Sequence, residues 1–127
     1  DIQRSRGLGD VYKRQAAVRE KVTTLNMNRA AFRLTAMRAN AENKSGTPGA
    51  ATSIFKLFGA ALQQDGAELK RELMGFNGLG ADDPNGFSES ELTATEEWLH
   101  TKATTIYGGS NEIQANIIAK RVLGLPE

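Results

Sequence analysis

Hydrogen-bonding side chains are concentrated in one short stretch near the C-terminus of the 127-residue chain. They follow the segment Tyr107-Gly108-Gly109-Ser110 and alternate with isoleucines, the set being Asn111, Glu112, Gln114 and Asn116. A glycine pair before a helix start leaves backbone N–H groups unblocked and directs the positive end of the helix dipole outward, which favours an anion or a carbonyl. Because many helices begin near a glycine, an ordinary helix start is the alternative.

Other reactive residues are sparse. The chain has no cysteine, which excludes disulfides, thiolate nucleophiles and cysteine-ligated metals, and His100 is its single histidine, so a histidine metal cluster is excluded as well. Asp82-Asp83 and Glu96-Glu97 are adjacent in sequence rather than facing pairs, so we expect solvated carboxylates and no acid–base pair. We therefore predict no metal site and find no nucleophile–base set.

Composition limits the possible partners. The formal net charge is +1, and the basic pairs Lys70-Arg71 and Lys120-Arg121 are too short for a nucleic-acid patch. No apolar run approaches the roughly 18–20 residues of a membrane span. We expect one soluble, cytoplasmic domain of bacterial type, with no nucleic acid and no membrane as partner.

Periodicity and breakers predict an all-α fold of four helices joined by short loops, hence an antiparallel four-helix bundle. The predicted helices run from Ala16 to about Asn43, about Ala50 to Met74, the Ser88 cap to about Thr104, and the Ser110 cap to Gly124. Ser88 and Glu91 have the spacing of a capping box, and the breaker at 45–49 separates the first two helices. The stretch at 75–87 is predicted to be a loop.

Apolar residues at helical spacing predict the buried faces. In the first helix Arg29 interrupts this stripe, and in the second Gly59 and Gly66 indicate close helix contacts. The predicted buried positions, in chain order, are Val18, Val22, Leu25, Phe32, Ala36, Ala39, Ile54, Leu57, Phe58, Ala61, Leu62, Leu69, Leu73, Leu92, Trp98, Leu99, Ala103, Ile106, Ile113, Ile117, Ile118 and Val122.

The first fifteen residues differ from the rest. They are basic and lack periodicity, and "DVYKRQ" at 10–15 resembles a translated transposase adapter used in sequencing libraries. An ordinary disordered tail is the alternative. We exclude 1–15 from the fold and expect the domain at 16–127 to be the C-terminal piece of a longer protein.

The stretch "TIYGGSNEIQANIIAKRVLGLP" resembles the C-terminal signature of the acyl-CoA dehydrogenase family. "SIFKLFGAALQ", "ELMGFNGLG" and "TEEWLHTKA" extend this resemblance upstream over roughly residues 16–127. Family members have an N-terminal helical domain, a β-barrel and a C-terminal four-helix domain, and only the last is matched. The resemblance implies an FAD-dependent oxidoreductase of fatty-acid metabolism that converts acyl-CoA to trans-2-enoyl-CoA, with hydride passing to flavin N5.

The resemblance also implies partners and cofactor contacts. Expected partners are acyl-CoA, an electron-transferring flavoprotein, and further copies in a homodimer or homotetramer, with a heteromer as the alternative. Ser110 and Glu112 correspond to family positions that contact FAD at the start of the fourth helix. Glu72, Gly75 and Phe76 correspond to the loop that contacts the ADP part of FAD, usually from a neighbouring subunit, and the family usually has glutamine and paired glycines there.

Substrate positions follow in the same way. Tyr107, Gly109 and Lys120 correspond to positions near the acyl-CoA. Many members place the catalytic glutamate directly after the tyrosine, and this chain has Gly108 there. Glycine cannot act as a base, so no catalytic residue is assigned. The base is expected on an upstream helix, or the chain is a non-catalytic helical subunit that completes a partner's flavin site.

Overall fold

The computed structural model describes residues 15–42, 51–80 and 86–126, and all regular structure within these ranges is helical. The α-helices are α1 (Ala16–Glu42), α2 (Ala51–Met74), α3 (Glu89–Thr101) and α4 (Asn111–Ile117). Shorter turns continue three of them, as 3-10 helices at Gly75–Leu79 and Lys102–Thr105 and a π-helix at Ile118–Val122. The prediction of an all-α fold with four helices is confirmed. The predicted tail before residue 15, the breaker at 45–49 and Asp82-Asp83 lie outside the described residues.

The central helix of the fold is α2. It packs against α1 on one side and against α3, α4 and both 3-10 turns elsewhere. Leu25 of α1 forms a buried cluster with Leu62 and Leu69 of α2, and Val22, Phe32 and Leu73 pack around it. The predicted apolar stripe of α1 is therefore the face that α2 covers.

Glycines let α1 and α2 approach closely. A Cβ at Gly59 would lie 3.2 Å from Cζ of Phe32, and a Cβ at Gly66 would collide with the Arg29 guanidinium. Both glycines thus serve close helix contacts, as predicted. Arg29 interrupts the apolar stripe because its side chain lies against the bare backbone at Gly66.

The predicted capping box opens α3. The backbone N–H of Ser88 donates to Oε2 of Glu91 at 2.7 Å, and the Ser88 side chain accepts from the first-turn backbone. The other Glu91 oxygen accepts from Nδ2 of Asn77 at 2.6 Å. One carboxylate therefore links α3 to the 3-10 turn at Gly75–Leu79. This turn corrects the prediction that the whole of 75–87 is irregular loop.

Several predicted core positions are exposed instead. Leu99 is 55% exposed, Ile106 70% and Ile113 53%; Ile54, Phe58 and Val122 are about two-fifths exposed, and Ala61 is exposed too. For the positions after α2, the reason is that α3, its following 3-10 turn and α4 face the rest of the fold with small or polar side chains. The buried ones are Ala94, Thr95, Thr101, Thr104 and Gln114.

Candidate functional site

The turn before α4 has the geometry that its two glycines permit. Gly108 and Gly109 have φ angles of +67° and +98°, a region that residues with a Cβ rarely adopt. Ser110 then has an extended backbone (φ −64°, ψ 165°) and is the N-cap of α4, as predicted. The turn thus sets the direction in which α4 begins.

The Ser110 hydroxyl does not cap the helix, which corrects one predicted role of this side chain. It hydrogen-bonds the Glu112 carboxylate, and this bond, together with the backbone N–H of Glu112, lowers the pKa of that carboxyl. Glu112 is therefore held in the ionised form in the first helical turn, where the dipole also favours a negative charge.

Gln114 is buried and turned inward. Its Nε2 donates to the Gly108 carbonyl at 3.3 Å, so this amide braces the turn from within. A Cβ at Gly109 would lie only 2.5 Å from the same Nε2. The polypeptide itself therefore uses the Gln114 amide. Asn116 is exposed, whereas Asn111 Oδ1 is shielded and has no hydrogen-bond partner among the described residues.

Lys56 of α2 belongs to the same region and was missed in the sequence. Its Nζ donates to the Thr104 carbonyl and lies 5.6 Å from the centre of the Tyr107 ring, a cation–π contact. A Cβ at Gly108 would lie 3.6 Å from Cε of Lys56. One signal was available: Lys56 is the single charged residue among apolar neighbours in "SIFKLF".

The second predicted group of cofactor contacts lies at the other end of α2. Glu72 forms an ion pair with Lys21 at 2.6 Å, and Gly75 has a φ of +58°. Phe76 is 78% exposed and stacks on Phe87 with ring centres 6.4 Å apart.

The two groups of predicted residues are therefore apart within this chain. Glu72 lies sixteen positions after Lys56 on α2, a rise of about 24 Å along a helix. Lys120 lies in the exposed π-helical turn after α4. The structure thus brings together Tyr107, Gly109, Ser110 and Glu112 but not Glu72, Gly75 and Phe76 with them.

Among the described residues, no three histidine, aspartate or glutamate side chains converge to hold a metal. None of the helices in that part of the chain is long and apolar enough to cross a membrane.

Comparison with known protein families assigns the chain to one of them. The family model of the acyl-CoA dehydrogenase C-terminal domain matches residues 3–123. The chain belongs to this family. The resemblance of the C-terminal signature is thereby confirmed.

Similar acyl-CoA dehydrogenases occur in mycobacteria. Acyl-CoA dehydrogenase IpdE1 of Mycobacterium tuberculosis is 37% identical over 123 residues, covering 94% of this chain and 31% of that protein. Its namesake in Mycolicibacterium smegmatis is 44% identical over 75 residues, covering 58% of this chain and 18% of that protein. FadE34 of Mycobacterium tuberculosis is 35% identical over 79 residues, covering 62% of this chain and 10% of that protein. No solved structure matches the chain. The chain therefore spans less than a third of the length of each of these curated relatives.

Proposed function

We propose that the chain is the C-terminal FAD-binding part of an acyl-CoA dehydrogenase whose full-length parent oxidises acyl-CoA to trans-2-enoyl-CoA. The observation that carries this proposal is the turn at Tyr107–Ser110. Its two positive-φ glycines bring the start of α4 to the surface within the family's own motif. The parent is proposed to act in the cytoplasm, in fatty-acid metabolism, as a homodimer or homotetramer that passes electrons to an electron-transferring flavoprotein.

The residues at the start of α4 fit a polar ligand such as FAD. The side-chain oxygen of Asn111 is shielded from water without a partner in the described part of the chain, and such an acceptor needs a donor. Ser110 and Glu112 would hold the cofactor here, and the exposed Phe76 ring and the turn at Gly75 of a neighbouring copy would lie near its ADP part. Glu72 fits less well because Lys21 occupies its carboxylate. When bound, FAD supplies the hydride acceptor.

Substrate would lie beside the same turn. The exposed Tyr107 ring, the Gly109 backbone and the cationic Lys120 are proposed to face the acyl-CoA. Proton abstraction needs a base that these residues do not supply, since Gly108 has no side chain and the Glu112 carboxylate is engaged by Ser110. We therefore place the base on an upstream helix of the parent and expect the isolated chain to be inactive.

Lys56 favours a second candidate function. The nearest side-chain atom to a Cβ at Gly108 is carbon Cε of this lysine. A cationic side chain therefore lies beside the position at which many family members have the catalytic glutamate. This arrangement supports a non-catalytic helical subunit that completes a partner's flavin site. A glutamate on an upstream helix facing Gly108 would favour the enzyme, and its absence would favour the subunit.

Ser110→Val in the intact parent tests the cofactor assignment. We expect flavin affinity to fall about fivefold, since one neutral hydrogen bond contributes about 1 kcal/mol. The affinity is measured by flavin fluorescence on titrating the apoprotein, and the free energy of unfolding is measured separately by urea denaturation. Thr93→Val, at an exposed position of α3, is the control. Unchanged flavin affinity in Ser110→Val would count against the role of Ser110.

A further inference from the structure

A groove of about 350 Å³ opens where α1, α2 and α3 meet. It shares no residue with the candidate flavin site. Its lining is rich in hydrogen-bond donors and includes Arg29, Gln63, Gly66, Lys70, Glu97 and His100.

Arg29 lies in this groove because α2 has a glycine opposite. The guanidinium lies where a Cβ of Gly66 would be, so any larger residue at 66 would displace it. Within the described residues, no acceptor engages the Arg29 guanidinium. Its planar set of N–H donors is thus positioned over small residues, Gly66 and Ala67, and is available to a ligand.

Lys70 and His100 add donors from the other two helices. Lys70 of α2 is paired with Glu97 of α3 at 2.7 Å, and both side chains are about half exposed. His100 lies one turn after Glu97 on α3, and a neutral imidazole still donates one N–H. Among the described residues that line the groove, Glu97 is the only carboxylate, so it limits the positive charge that an anion would meet.

We propose that this groove binds a phosphoryl group. The Arg29 fork matches two phosphate oxygens, and the Lys70 ammonium can reach a third oxygen from the neighbouring helix. A carboxylate has two oxygens and one charge, so Arg29 alone would satisfy it. The volume is within the range of small-molecule sites and exceeds what a bare ion needs, which favours a phosphate ester over the free ion.

Amide chemical shifts of the isotopically labelled 127-residue chain test this proposal. At constant ionic strength, inorganic phosphate and glycerol 3-phosphate should each produce saturable shifts at Gly66 and Ala67. Acetate should bind more weakly. Tighter binding of glycerol 3-phosphate identifies an ester as the ligand, and tighter binding of phosphate identifies the free ion. No saturable shift, or acetate binding equal to phosphate, would overturn the proposal.

Three variants distinguish a specific binding site from nonspecific electrostatic attraction. Arg29→Gln should weaken binding about tenfold, the loss expected for a charge-assisted hydrogen bond. Arg33→Gln, one turn further along the exposed side of α1, should leave it unchanged. Glu97→Gln should tighten binding up to about fivefold, because it frees Lys70 from an exposed ion pair. A tightened affinity cannot arise from misfolding. Equal losses in Arg29→Gln and Arg33→Gln, or no gain in Glu97→Gln, would contradict the proposed site.

Discussion

Gly108 and Gly109 differ in what surrounds them, although both have positive φ. A Cβ at Gly108 would make an ordinary contact with Lys56, whereas a Cβ at Gly109 would press on the amide of Gln114. The first position therefore tolerates a side chain at the cost of backbone strain alone. At the second position backbone strain and steric overlap act together. The overlapping atom is the Gln114 amide nitrogen, which donates the hydrogen bond to the Gly108 carbonyl.

Alanine at each glycine tests this difference. Gly108→Ala should lower the free energy of unfolding by about 1 kcal/mol, the cost of a left-handed residue. Gly109→Ala should cost about 2–3 kcal/mol, because the Gln114 amide must move and its hydrogen bond is lost. Urea denaturation of both variants gives the values. Equal costs would show that Gln114 does not brace the turn.

Single residues were predicted well where local backbone geometry decides. Ser110 is the N-cap and Gly124 follows the last turn with a φ of +64°, both as the sequence indicates. The hydrogen-bond partners of individual side chains were predicted poorly. Nothing in the sequence shows that Gln114 turns back to Gly108 or that Lys56 reaches the Thr104 carbonyl, because those contacts depend on how α2 and α4 pack.

At the scale of elements, periodicity located the helices and the α1–α2 contact. The first helix carries a regular stripe, and the glycines facing it on α2 mark the close approach. Periodicity failed for α3 and α4, whose apolar residues were assigned to the core. Leu99 and Ile113 are exposed because threonine, alanine and glutamine form the inner face of these short helices. Because the inner faces of α3 and α4 are polar or small, no apolar stripe in the sequence marks them.

One carboxylate joins α2 to α3. Glu68 accepts a hydrogen bond from Nε1 of Trp98, and Lys102 and Arg71 approach it at 3.2 Å each. The same two cations lie over the Trp98 ring, 4.7 Å and 4.2 Å from its centre. The Trp98 hydrogen bond is the main cause that lowers the pKa of Glu68; partial burial opposes it, and the two cations add to it.

Trp98 is the only tryptophan, so its fluorescence reports on Glu68 directly. Because the pKa of Glu68 is lower in the folded state, the bond stabilises the fold above the ordinary glutamate pKa. That stabilisation is lost as pH falls through the lowered value. We expect a fluorescence transition with its midpoint below about 4.3, the unperturbed glutamate pKa. Glu68→Gln should abolish the transition while circular dichroism shows that the helices persist. A midpoint at or above the ordinary value would contradict the assignment.

At the scale of the whole molecule, the helices are unequally supported. The 27-residue α1 packs chiefly against α2, and its opposite face exposes Met27, Leu34 and Met37 by 59% to 67%. By contrast, α2 is contacted by α1, α3, α4 and both 3-10 turns. An element with few buried contacts opens at a lower free energy than the elements around it. We therefore infer that α1 separates from the remaining helices before they unfold.

Amide hydrogen exchange of the chain tests this inference. Amides of α1 should exchange faster than those of α2 that face α3. Leu25→Ala, which removes a side chain from the buried cluster, should speed exchange in α1 and destabilise the α1–α2 contact by about 2–5 kcal/mol. Protection in α3 should change little, because α3 keeps its own contacts with α2. Leu34→Ala, at a 59% exposed position of the same helix, should change stability by less than about 0.5 kcal/mol. Equal loss of protection in α1 and α3 after Leu25→Ala would show that the four helices unfold as one unit, so that α1 has no independent opening.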